Sequence, residues 1–358
     1  MEIFEILKFA VDTDASDIHI TVGSPPMLRI DGRMKKIESS PLEKEEVDRL
    51  IYDIMTENQR RELEENFEVD FSRELSGIGR FRVNVFYGRQ GKAAVLRIIK
   101  SDILTFEQLG LPEVIRELSS LDKGLVLVTG PTGSGKSTTL ATMIDYINSN
   151  YEYHIITIED PIEFIHEPKK SLINQRELHT NTKSFTNALR SSLREDPDVI
   201  LLGELRDLET TSLAITAAET GHLVFGTLHT NSAAKTVNRI IDQYPAEEQG
   251  QIRSMLAESL RGVIAQLLLP KKGGGRVGAF EILICTPAAS NMIREDKIFQ
   301  LDSIIQTNLK MGMITMDQSL AALIKQGQIE PEVAYRHARD AKSVAKLAGL
   351  APVEESKS

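Results

Sequence analysis

No stretch of this 358-residue chain is more constraining than Gly130-Pro131-Thr132-Gly133-Ser134-Gly135-Lys136-Ser137, which follows the apolar run Leu125-Val126-Leu127-Val128. An apolar strand that runs into a glycine-rich turn and then opens a helix is the layout of a phosphate-binding loop. The glycines let successive backbone N–H groups curl around phosphate oxygens, and the helix beginning at Lys136 adds its positive end. Lys136 is placed to reach the β- and γ-phosphates, and the Ser137 hydroxyl suits Mg2+. The expected nucleotide-binding residues are therefore Gly130, Pro131, Thr132, Gly133, Ser134, Gly135, Lys136, Ser137 and Thr138. The loop reads phosphates and not the base, so it is compatible with ATP and with GTP.

The surrounding pattern predicts an α/β fold. Residues 125–128, 155–158, 199–202 and 223–227 are compact apolar runs, with helices expected at 136–148 and 208–220. Such alternation demands crossovers and gives a mainly parallel sheet covered by helices, with ligands beyond the carboxyl ends of the strands. Residues 1–99 read as a separate small α+β domain with an antiparallel sheet. Its helices are expected at 3–11 and around Val47, Leu50 and Ile51, and its strands at 17–22, 67–71, 79–87 and 93–99. A hairpin over 27–37 is expected to turn at Asp31-Gly32. Residues 100–115 form the linker, and 116–358 the nucleotide domain with a helical carboxyl-terminal region. There the pattern predicts a helix over 247–266, a hairpin of 267–269 with 277–284, and helices at 288–294, 301–310, 317–325 and 330–339.

A net charge of -10 argues against a general grip on nucleic-acid phosphates. Cys285 is the only cysteine, which excludes an internal disulfide and a paired-cysteine zinc site, and it reads as a buried structural thiol. The acidic start over residues 1–10 lacks the features of a secretory signal, and no apolar run has the length of a membrane span. The expectation is a cytoplasmic protein that touches membranes only through a partner.

Hydrolysis needs a positioned water, a carboxylate beside it and positive charge on the phosphate oxygens. Three acidic clusters compete. Glu159, Asp160 and Glu163 follow a core strand, with Pro161 fixing the turn. Glu204 ends the apolar strand 199–202, where a magnesium-orienting carboxylate belongs. Arg194-Glu195-Asp196-Pro197-Asp198 precedes that strand, at the wrong end for the loop, and reads as a helix stop and subunit contact. Glu159 and Glu163 are equal candidates for the base. His229, just past the strand 223–227, is placed to sense a γ-phosphate or hold a carboxylate, whereas His222 starts that strand, far from the loop. In the small domain, Arg80 and Arg82 share one strand face, with Arg89 and Arg97 nearby, and paired guanidiniums suit phosphate clamping as well as surface ion pairs. Arg206 follows Glu204 and could relay nucleotide state to an adjacent surface.

Taken in order, the phosphate loop, the acidic box at 159–163, Gly203-Glu204 and the histidine box from Gly221-His222 to His229 resemble those of the type IV pilus retraction ATPases, within the secretion ATPase superfamily. The resemblance runs from Asp14-Ala15-Ser16-Asp17-Ile18-His19 to the carboxyl-terminal helices. It implies a RecA-like nucleotide domain with a PAS-like amino-terminal domain. It further implies ATP and Mg2+ as ligands, Lys136 and Ser137 on nucleotide and metal, Glu163 as general base, Glu204 on the metal-water shell, and His222 and His229 as histidine-box residues. Arg80, Arg82 and Arg97 match arginines that meet nucleotide at a subunit boundary in a homohexameric ring. The implied partner is the inner-membrane platform beneath the pilus. The absence of a four-cysteine zinc insertion favours retraction over the related extension ATPases, and Ala289 to Glu295 is similar to a carboxyl-domain signature of the retraction family. The same ring driving pilus assembly or secretion, a nucleic-acid translocase and a nucleotide-switched scaffold are the competing readings.

Overall fold

A computed structural model describes residues 2–30, 32–99 and 103–351. These divide into two compact units, on either side of the boundary between residues 102 and 103. Asp31 of the expected hairpin turn, and residues 100–102 of the expected linker, lie outside the described residues.

The first unit comprises α1 (Ile3–Asp12), β1 (Asp17–Thr21), β2 (Met27–Ile30), β3 (Arg33–Lys36), α2 (Lys44–Tyr52), α3 (Glu57–Asn66), β4 (Glu68–Leu75), β5 (Gly79–Gly88) and β6 (Gly91–Ile99). Its strands make one antiparallel sheet in the order β3-β2-β1-β6-β5-β4. The period of two along β5 sends Phe81, Val83 and Val85 into the core shared with Ile6 and Leu7 of α1 and Leu50 and Ile51 of α2. The alternate positions, Arg80 and Arg82, take the opposite face. The sequence pattern does not announce α3, because Leu63 is its single buried residue. Its amino terminus is set by a capping box between Thr56 and Gln59.

The second unit begins with α4 (Phe106–Leu109), α5 (Glu113–Ser119), β7 (Gly124–Thr129), α6 (Lys136–Asn150), β8 (His154–Glu159), β9 (Leu172–Glu177) and α7 (Phe185–Ser192). It continues with β10 (Val199–Leu202), α8 (Leu208–Glu219), β11 (Leu223–Leu228), α9 (Ala233–Ile241), α10 (Gln249–Ser259), β12 (Leu260–Pro270) and β13 (Arg276–Ile284). Five helices close it: α11 (Pro287–Arg294), α12 (Leu301–Thr307), α13 (Met316–Lys325), α14 (Pro331–His337) and α15 (Ala341–Ala348). The sheet order is β13-β12-β7-β11-β10-β8-β9, parallel except for the β12–β13 pair. All residues of β7, β10 and β11 are buried, as expected of strands covered on both faces. Leu125 and Leu127 point into one apolar cluster, Val126 and Val128 into the other.

One expected element is wrong in kind. The helix predicted over 247–266 stops at Ser259, and the chain from Leu260 to Pro270 is a strand paired with β7 and β13. Val263, Ile264 and the following leucines suit a pleated, doubly covered position, and pairing with two strands outweighs helical periodicity there. A β-carbon on Gly262 would lie 2.8 Å from Leu118 Cδ1, so that strand position presses directly on α5. The last expected helices are also shorter than predicted: α12 ends at Thr307 and α14 at His337.

Candidate functional site

Four neighbouring parallel strands end at one edge of the second sheet, and each delivers a candidate group. β7 leads into the phosphate loop, β11 into His229, β10 into Glu204, and β8 finishes at Glu159. The site is thus a consequence of strand order, which brings together residues a hundred positions apart.

The loop is built for close approach. Gly130 has φ +145°, and a β-carbon there would lie 2.3 Å from the Gln266 carbonyl and 2.6 Å from Ser134 Oγ. Gly135, in the left-handed region at φ +88°, precedes α6 without a side-chain cap, so the helix's first N–H groups are left for a ligand. Gln266 Nε2 donates to the Ser134 carbonyl at 2.7 Å and braces the loop from β12. The buried Ser134 hydroxyl finds no hydrogen-bond partner among the described residues. Lys136 Nζ donates to the carbonyls of Gly130 at 2.8 Å and Pro131 at 3.2 Å, both within the loop. Burial lowers the Lys136 pKa from its ordinary value, and the charges of Glu163 and Glu204 partly offset that shift. An ammonium short of solvent and facing two carboxylates is poised for phosphate oxygens. Ser137 and Thr138 sit in the first turn of α6.

Glu204 is held from two sides. His229 Nε2 lies 3.1 Å from Oε1, and Arg206 Nε donates to Oε2 at 2.7 Å. Arg206 Nη1 also donates to Asp160 Oδ2 at 2.9 Å, tying the Glu204 turn to the one after β8. The two acidic candidates of that turn differ in environment. Half-buried Glu159 accepts from Thr157 Oγ1 at 2.7 Å, and burial pushes its pKa up to about 7. Glu163 is exposed, with its charge acting on Lys136.

The remaining candidates lie elsewhere. The His222 carbonyl accepts from Gly124 N at 3.0 Å, at the start of β7, so His222 stands at the edge opposite the loop. Its Nδ1 is 2.9 Å from the Ala217 carbonyl. Glu195 pairs with Arg176 at 3.2 Å, and Asp198 accepts from His154 N at 2.8 Å, so this cluster is tied to its own sheet. Arg97 Nε donates to Asp17 at 2.9 Å, and Arg82 stands opposite Arg97 in register, with Arg80 two residues along. Cys285 is partly buried against the main core, and burial pushes its thiol up to about 12. Gln266 is the bracing residue that the sequence reading misses; reading 260–270 with a period of two finds it.

The family model for type II/IV secretion system proteins matches residues 2–275. The type IV pilus retraction ATPase PilT of Pseudomonas aeruginosa is 57% identical over 339 residues, 95% of this chain and 98% of that protein. A twitching motility protein of Neisseria gonorrhoeae is 57% identical over 320 residues, 89% of this chain and 86% of that one. The crystal structure of the pilus retraction motor PilT with bound ADP superimposes with a TM-score of 0.90 at 53% identity, covering 95% of this chain and 98% of that chain. The chain belongs to the type II/IV secretion system protein family and has its α/β nucleotide fold. Among the described residues, no helix is long and apolar enough to cross a membrane.

Proposed function

We propose that this chain is an Mg2+-dependent ATP hydrolase that works as a homohexameric ring and powers type IV pilus retraction, and with it twitching motility. The observation that carries the reading is the match along nearly the whole chain to a retraction motor with bound ADP. The gathering of Lys136, Glu163, Glu204 and His229 around one loop supports it. The loop N–H groups and Lys136 bind the triphosphate and draw charge from the oxygens that become more negative. Glu163, exposed and charged, takes the proton of the attacking water. Glu159 is already engaged, accepting from Thr157 Oγ1 at 2.7 Å and from Gln175 Nε2 at 3.4 Å, and fits a bracing role.

Mg2+ fits the donor set present. No group of three metal-ligating side chains occurs among the described residues, and a hard ion held by phosphates and water needs only the Ser137 hydroxyl and the nearby Glu204 carboxylate. When bound, the ion neutralises phosphate charge. Arg80, Arg82 and Arg97 are assigned to nucleotide in a neighbouring copy, and His222 to the boundary between copies. The platform protein under the pilus is the partner, reached from the cytoplasmic face of the inner membrane.

Lys136→Ala should fold as the parent and release no phosphate. In cells carrying that substitution, fluorescently labelled pili should extend and fail to shorten. Phosphate release at the parental rate would refute the enzyme, and loss of pili would refute the direction.

A further inference from the structure

Three segments of the second unit converge on one carboxylate that the phosphate chemistry does not use. Glu281, in the middle of β13, is 0% exposed. Its Oε1 accepts from Ala233 N at 2.8 Å, the first residue of α9. Its Oε2 accepts from Met316 N at 3.4 Å, the first residue of α13. Arg339 Nη2, just after α14, lies 2.9 Å from Oε2 and donates to Oε1 at 3.0 Å. Arg339 is itself fixed, with Nη1 3.0 Å from Asp302 and its backbone N–H donating to Asp317 at 2.8 Å.

A carboxylate in an apolar layer is tolerated only while its lone pairs are met. The starts of α9 and α13 and the Arg339 guanidinium therefore share one set of oxygens, and moving one donor disturbs the others. Ala233 lies four residues past His229, which touches Glu204 at the phosphate edge. The short loop between them is tied to α9 by Thr230 and Thr236, whose hydroxyls are 2.6 Å apart. The loop lines a cavity of about 780 Å³ whose walls also include Pro131, Arg336 and Arg339. The loop has space to shift, and its far end is anchored on Glu281.

We propose that Glu281 is a positioning residue that passes displacement of the His229–Ser232 loop to α13 and α14, so that the carboxyl-terminal helices follow the nucleotide state. This rests on nucleotide binding at the phosphate loop beside His229. Burial raises the Glu281 pKa, and the Arg339 charge opposes that rise, which keeps the carboxylate dependent on its partner.

Amide hydrogen exchange on the full chain tests it, with Mg2+-ADP against a non-hydrolysable Mg2+-ATP analogue, in the parent and in Glu281→Gln. The parent should change exchange over residues 316–337 by about fivefold or more between the two nucleotides. In Glu281→Gln that difference should vanish, while the difference over 229–232 and the protection of 130–138 persist. A merely structural role would speed exchange of 316–337 equally with both nucleotides and leave their ratio intact, which overturns the inference. Protection of 130–138 with an unaltered ratio overturns this inference alone; no protection of 130–138 in the parent overturns the phosphate-loop reading with it. If Glu281→Gln does not fold, Glu281→Gln with Arg339→Gln replaces the ion pair by two amides and carries the same measurement.

Discussion

Replacing Arg206 by Ala should cost activity far more than stability. The guanidinium bridges Glu204 and Asp160 at 2.7 and 2.9 Å, yet 58% of the side chain is exposed. Ion pairs so open to solvent contribute about 0.2–1 kcal/mol each, so losing both should cost the fold at most about 2 kcal/mol. Catalysis has more at stake, because Glu204 is oriented by two contacts and Arg206 supplies one of them. With only His229 left at 3.1 Å, the carboxylate can swing away from the metal-water shell proposed for it. Losing an orienting partner of this kind costs about 10–100-fold, equivalent to about 1.4–2.7 kcal/mol of transition-state stabilisation. Steady-state phosphate release over ATP and Mg2+ concentrations, with thermal unfolding in parallel, separates the two effects. The expected outcome is a kcat lower by about 10–100-fold with KM for ATP little changed, since Lys136 and the loop are untouched. Arg206→Lys should recover only part of the loss, because one ammonium cannot fork to both carboxylates. A parental kcat in Arg206→Ala, or full recovery by Lys, would refute the clamp.

Glu159 makes the fold sensitive to pH in a direction opposite to that of a salt-bridged acid. Its pKa is pushed from the ordinary 4.5 up to about 7 by burial, so the native state holds a proton that the unfolded chain has released. That stabilisation is complete below about 4.5 and is lost as pH rises through about 7. Glu159→Gln should therefore gain on the parent between pH 5 and 8 by on the order of 1–3 kcal/mol in urea unfolding, and a pH-independent difference would count against it. In α11, Asn291 Nδ2 donates to Glu295 at 3.0 Å and Arg294 reaches Asn291 at 3.5 Å, all exposed, while Ile293 is buried in the core. Asn291→Ala and Arg294→Ala should stay within about 0.5 kcal/mol of the parent and keep its phosphate release while slowing pilus shortening in cells; shortening at the parental speed removes the coupling role.

How much was legible in the sequence depended on how local each feature is. The phosphate loop could be read because its glycines, its lysine and the helix start are contiguous, and the buried strands because Leu125–Val128 and Val199–Leu202 are unbroken apolar runs. The meeting of Glu204 and His229 was within reach, since both follow apolar strands, but which strands are neighbours is a matter of sheet order. The helix assigned to 247–266 overran its end because Leu260, Val263 and Ile264 also recur at helical spacing, and only pairing with β7 decides for a strand. Glu281 is the instructive case. An acid inside Ala279-Phe280-Glu281-Ile282-Leu283 breaks an otherwise apolar strand, and such a residue requires a cationic partner if it is buried. The strand could have announced that Glu281 needs a counterion. It could not have said which of 42 lysines and arginines supplies it, because Arg339 reaches Glu281 only once α13 and α14 have folded back over β13. A paired ion in the core is specified by tertiary packing, and for that reason Glu281 can be read from the linear pattern as an acid in need of a counterion while Arg339 cannot be read as the residue that supplies it.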